Sequence, residues 1–138
     1  MKSNIKISLL IIVAVLCYIS YIFVQSKKQE KQLINTHKLT QGRIIDLGES
    51  AGRVQISPEF KFVLEDKEYK VRFNENKFCK HLSNKDKRNL MSVPVLVAYY
   101  PPNPYISDVI LTQKDLKKFN VSYPYTLSPI LKRQLECK

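Results

Sequence analysis

From Ile7 to Val24 the chain reads ISLLIIVAVLCYISYIFV, without a charge or a proline. As an α-helix, at about 1.5 Å per residue, this run measures roughly 27 Å, close to the hydrocarbon thickness of a bilayer. Lys6 closes one end; Gln25, Ser26, Lys27 and Lys28 close the other. Tyr18, Tyr21 and Phe23 gather towards the second end, where amphipathic rings favour the headgroup layer. A chain of 138 residues has too little material to wrap such a helix in a soluble core. We therefore read residues 7–24 as an uncleaved, single-pass transmembrane helix after a short basic tail at residues 1–6. The rival is a cleavable signal: Lys2 and Lys6 make an n-region, and cleavage near Ser26 would release a secreted domain. Its apolar stretch exceeds the usual length of about 7–15 residues, which favours the anchor.

The side of the membrane stays open at this level. Lys27, Lys28, Lys31 and Lys38 outnumber Lys2 and Lys6, and the positive-inside rule then favours a cytoplasmic domain. A short basic tail before a first apolar segment is also how exported domains begin. Cys17 lies in the anchor, leaving Cys79 and Cys137 either to bridge in an oxidising compartment or to stand as two buried thiols.

Residues 25–38 are polar, rich in helix formers and free of Gly and Pro, and read as a helical stalk. From Leu39 the period changes to two. Ile45 and Leu47 share a face between Gly42 and Gly48, and a turn is expected at Glu49–Gly52. Phe60, Phe62 and Leu64 then alternate with Glu59, Lys61 and Val63, and Tyr69, Val71 and Phe73 with Lys70 and Arg72. The polar turn at Glu65, Asp66 and Lys67 joins these runs into a β-hairpin, with Pro58 marking an edge or bulge. Ser83 with Asp86 forms a capping pattern for a short helix through about Met91. PVLVAYY and ISDVILT read as the last two strands, separated by Pro101, Pro102, Asn103 and Pro104. Thr112 with Asp115 caps a further turn of helix, and after Pro124 the pair Ser128-Pro129 starts a last one that buries Ile130, Leu131 and Leu135. The expected fold class is mainly β (α+β). It comprises a transmembrane helix, a small antiparallel sheet or partly open barrel of about five strands over residues 39–112, and one to three short helices, with a helical tail at 113–138.

The order of these elements resembles a bacterial family of small membrane-anchored β domains of unknown function. The matching residues are Thr40-Gln41-Gly42-Arg43-Ile44-Ile45, then Glu59-Phe60 with Lys67 and Tyr69. The closing element is Val97-Ala98-Tyr99-Tyr100-Pro101-Pro102-Asn103-Pro104 with Ser107. The resemblance covers roughly residues 5–112, and its most specific part is Y-x-P-x-N-P. A basic insert at about Phe78–Leu90 and the extended tail depart from the pattern. The resemblance implies an architecture and a bacterial inner-membrane location, and no catalytic residues.

Motifs of known chemistry are missing. Gly42, Gly48 and Gly52 form no phosphate-cradling loop, and no G-x-S-x-G or H-E-x-x-H occurs. Cys79-Lys80-His81 lacks the spacing of a zinc pair, and Cys137 could be a third ligand only if the tail folds back. Glu65, Asp66 and Glu68 sit at a hairpin turn, where charge serves solubility. We therefore assign no catalytic residue, metal or cofactor, and expect a non-enzymatic module.

The net charge of +11 points instead to contacts. Lys77, Lys80, Lys85, Lys87 and Arg88, near Phe78 and His81, form the densest block and a candidate basic contact surface. A second block is Lys114, Lys117 and Lys118. An oligonucleotide-binding module is an alternative, since Tyr69, Phe73, Tyr99 and Tyr100 could stack bases. The excess of Lys over Arg argues against base readout, and the alternation places Tyr69 and Phe73 in the core. Anionic lipid headgroups or a membrane protein fit a tethered domain better. Tyr99, Tyr100, Pro101, Pro102, Asn103 and Pro104 form a rigid connection that is a candidate partner-docking loop.

Overall fold

A computed structural model describes residues 2–48, 50–51, 54–123 and 127–137, with side chains from Ile7 onward except at residues 50–51 and 54–55. Glu49 and Gly52, the ends of the expected turn, and Pro124 lie outside the described residues. The chain forms two compact units, residues 1–32 and 33–138.

In the first unit, helix α1 (Lys2–Thr36) carries the apolar run without interruption. From Ile7 it is long and apolar enough to cross a membrane, and Ile11, Leu16 and Phe23 are all exposed along it. Its last turn belongs to the second unit, where Leu33 is buried against Ala98, Ile110 and Phe119. His37 then ends the helix: its Nδ1 lies 3.0 Å from the Ile34 carbonyl and its ring meets Phe119 edge-on at 5.1 Å.

The second unit is built on a five-stranded antiparallel sheet. Its strands are β1 (Lys38–Asp46), β4 (Glu59–Leu64), β5 (Lys67–Arg72), β6 (Val95–Tyr100) and β7 (Asn103–Ile110), ordered β5-β4-β1-β6-β7. A small ladder pairs β2 (Ser50–Ala51) with β3 (Val54–Gln55). The expected period of two is realised in β4 and β5; in β1 the buried residue is Ile44 and not the expected Ile45, which falls at the register shift between Ile44 and Asp46. Ile44, Phe60, Phe62, Val95, Val97 and Val109 form one buried face, while Lys61, Glu68, Lys70, Glu59 and Arg72 form ion-pair rungs on the other. The sheet curls into a half-barrel, so Tyr69 on one edge strand reaches Tyr105 on the other, with ring centroids 5.2 Å apart. Gly42 lies on the central strand opposite Phe62 on one side and Val95 on the other. A Cβ there would come within 2.6 Å of Val97 Cγ2 and 2.7 Å of the Lys61 carbonyl.

The β4–β5 turn is Glu65-Asp66, both at positive φ, the left-handed pair whose twist matches a two-residue hairpin. Lys67 already belongs to β5. Pro58 is buried just before β4, and its carbonyl accepts a hydrogen bond from the Phe73 amide at 2.8 Å. A register shift between Ile44 and Asp46 puts one irregularity of the sheet at that same end.

Three short helices close the half-barrel. In α2 (Asn84–Leu90) Ser83 caps the Asp86 amide, and Leu90 is buried. Thr112 and Asp115 make a full capping box on α3 (Gln113–Phe119), which ends at Asn120 in the left-handed conformation. Helix α4 (Pro129–Leu135) starts on proline and buries Leu131 and Leu135 as expected, Ile130 only partly, and Gln134 completely.

Candidate interaction surface

The basic block divides in two. Lys80 is exposed in the turn before α2, while Lys85, half-buried Lys87 and Arg88 project from that helix. Lys85 and Arg88 are three residues apart and so lie on one helix face. None of these four cations pairs with a carboxylate among the described residues, whereas Asp86 between them takes Arg133 of α4 at 3.2 and 3.3 Å. Beside them Leu47, Gly48, Asn76, Phe78, Asn84, Lys87 and Arg88 line a cleft of about 320 Å³. A cleft lined by Leu47 and Phe78 together with two cations can take an anionic group that carries some hydrocarbon.

Lys77 does not belong to that surface. Its side chain is 2% exposed, and its ammonium donates to Asp108 Oδ1 at 2.7 Å, Asp115 Oδ1 at 2.8 Å and the Val109 carbonyl at 2.9 Å. All three ammonium donors are thereby satisfied, which an ion removed from water requires. Burial pushes the Asp108 carboxyl above its ordinary range, the Lys77 charge pulls it back, and Asp115 adds to the rise. Lys118 stands 3.7 Å from Asp108 Oδ2, so the second basic block also divides: Lys114 and Lys117 are exposed and Lys118 is not. One signal for this network was visible in sequence, a carboxylate inside the β-prone run ISDVILT.

Around Lys77 the tail is fixed by Gln134. Its amide donates to the Lys77 carbonyl at 2.7 Å, and its oxygen accepts from the Cys79 amide at 3.0 Å. Cys79 and Cys137 form a disulfide. The tail does fold back, as a zinc site with Cys137 would require, but both sulfurs are taken up in that bond.

The Tyr/Pro connection is shorter than expected. Only Pro101-Pro102 forms the turn, and Asn103 and Pro104 open β7. A register shift at Tyr99/Tyr100 absorbs the geometry. Tyr99 packs on Phe62 at 5.9 Å, and Tyr100 joins the cluster around Leu33. Both tyrosines are half-buried in β6. The exposed part is Pro102, Asn103 and Tyr105, the last 56% exposed. Tyr69 and Phe73 are core partners of Phe62 and Phe60, so they are not free to stack bases.

No protein-family model, curated protein or solved structure matches this chain.

Proposed function

We propose that this chain is a single-pass, membrane-anchored accessory module. Its β domain acts by contact with a membrane protein or anionic headgroups, and not as an enzyme. The observation that carries the reading is α1, whose exposed apolar run has no partner within the described residues that would make it a core helix. The resemblance to small bacterial membrane-anchored β domains agrees with it. The contact surface is the cation group Lys80, Lys85, Lys87 and Arg88 with the cleft beside Phe78.

The Cys79–Cys137 disulfide supports an orientation with the domain on the oxidising side of that membrane, because thiols stay reduced in the cytosol. This outweighs the lysine count after the anchor, which is a statistical bias over short loops. Unbroken helix through Ser26 also favours the anchor over a cleaved signal, whose processing site needs accessible chain.

Fractionation tests the anchor. The full chain should stay with membranes until detergent is added and keep residues 1–26 by mass. Solubility without detergent, with those residues lost, would establish the secreted alternative. Labelling of intact cells with an impermeant thiol reagent, after reduction, should reach Cys79 and Cys137; labelling only after lysis would place the domain in the cytoplasm.

A further inference from the structure

The buried network around Lys77 has the composition of a reaction centre that works once. We propose that Lys77 and Asp108 condense into an intramolecular isopeptide bond, with Asp115 carrying the protons. This inference stands apart from the proposed anchoring and contact role.

The reacting groups are already in contact. Lys77 Nζ lies 2.7 Å from Asp108 Oδ1, which by bond geometry puts the nitrogen roughly 3–3.5 Å from the carboxyl carbon, the range of a near-attack arrangement. Holding two groups in this way corresponds to an effective concentration of about 10⁵–10⁸ M, which offsets the unfavourable condensation of an amine and an acid in water. Water is excluded: Lys77 is 2% exposed, and Asp108 and Asp115 are 4% exposed.

Asp115 has the geometry of a proton carrier. Its Oδ2 is fixed by the Leu111 amide at 3.1 Å and the Thr112 amide at 3.0 Å, while Oδ1 faces Lys77 Nζ at 2.8 Å. One oxygen therefore sets the position and the other exchanges protons. Burial also raises the proton affinity of Asp108, which favours the neutral acid that an amine can attack.

The step balances without any co-reactant. Asp115 removes a proton from the Lys77 ammonium, the freed lone pair forms the Nζ–Cγ bond, and one Cγ–O bond of Asp108 breaks. Of the three ammonium protons, one stays on the amide and two leave with the Asp108 oxygen as water. Asp115 ends as the carboxylate it was. One buried ion pair is replaced by an uncharged amide, and the Asp115 carboxylate keeps its hydrogen bonds from the Leu111 and Thr112 amides. The exchange is favourable because two desolvated ions are costly even when paired.

The test is a tryptic map of the full chain, purified in detergent, reduced and alkylated. Residues 73–80 should be joined to residues 89–114 in one branched peptide, lighter than the two chains by one water, with no cleavage after Lys77. Linear peptides 73–77 and 89–114 from the folded protein would overturn the bond. This digest needs no variant, so it decides the bond whatever any substitution does to folding. Lys77→Arg should yield only linear peptides. In folded Asp115→Asn the branched peptide should be lost; its retention would overturn the role of Asp115.

Discussion

Cys79 and Cys137 are joined across 58 residues of sequence, with their Cα atoms 5.8 Å apart. The bond ties the end of the chain to the loop before α2, beside the Cys79 amide that Gln134 already holds. Closing a loop of this length should contribute about 2–4 kcal/mol, largely by restricting the unfolded chain. Cys79→Ser with Cys137→Ser should lower the unfolding free energy of the second unit by that amount in denaturant titration. An unchanged midpoint would show that Gln134 and the α4 packing hold the tail without the disulfide.

Lys77→Met leaves Asp108 and Asp115 buried without the ammonium that both face. The expected cost is about 3–5 kcal/mol, the usual penalty for an uncompensated buried charge. Lys80→Met, at an exposed position, should change stability by less than about 0.5 kcal/mol. Thermal melts of the two variants side by side check the division of the basic block.

Gly42→Ala should destabilise the domain by about 1–3 kcal/mol. The added methyl would meet both the Val97 side chain and the Lys61 backbone, and a central strand cannot shift away from one neighbour without losing the other. Chemical denaturation measures it; a neutral result would mean that β4 and β6 part more easily than their ladders suggest.

Ser107 Oγ is buried and has no hydrogen-bond partner among the described residues. Removing it in Ser107→Ala lifts the desolvation penalty at the loss of little packing, so stability should rise by about 1 kcal/mol. A fall in melting temperature would reveal a partner for the hydroxyl.

Hydrogen bonds from Lys61 and then Lys70 hold the exposed Glu68 carboxyl below its ordinary 4.5. A depressed carboxylate adds stability above its unfolded value, and that contribution disappears as pH falls through the folded one. Its NMR titration midpoint should therefore lie under 4.5 and move back towards it in high salt or in Lys61→Met. The effect on overall stability should be small, because the pair is open to solvent.

Much of this protein could be read from local pattern. The uncharged run from Ile7 to Val24 specifies a helix that leaves apolar side chains exposed. The alternation of Phe60, Phe62, Tyr69 and Val71 specifies paired strands, and Ser83 with Asp86 and Thr112 with Asp115 specify helix starts. Each depends on residues a few positions apart, whose backbone geometry is set by nearest neighbours and by the periods of helix and strand. The β4–β5 and β6–β7 hairpins follow from them, because short connections leave antiparallel neighbours as the simple arrangement, whereas the pairing of β1 with β6 joins segments far apart in the chain.

The candidate site was legible only in outline. Lys77 and Lys80 are equivalent in sequence, and nothing local tells that one enters the core while the other stays in water. That difference comes from Asp108 and Asp115, more than thirty residues away, which the β7–α3 connection brings onto the Lys77 ammonium. Tyr99 and Tyr100 likewise lie in β6, half-buried, packing against Phe62 and around Leu33. The sequence by itself determined the long apolar helix, the main strands and the caps, since these rest on local periodicity and backbone preference. Tertiary structure alone decided which cations face solvent, which tyrosines are core and whether the two cysteines meet, since burial and charge pairing depend on groups distant in the chain.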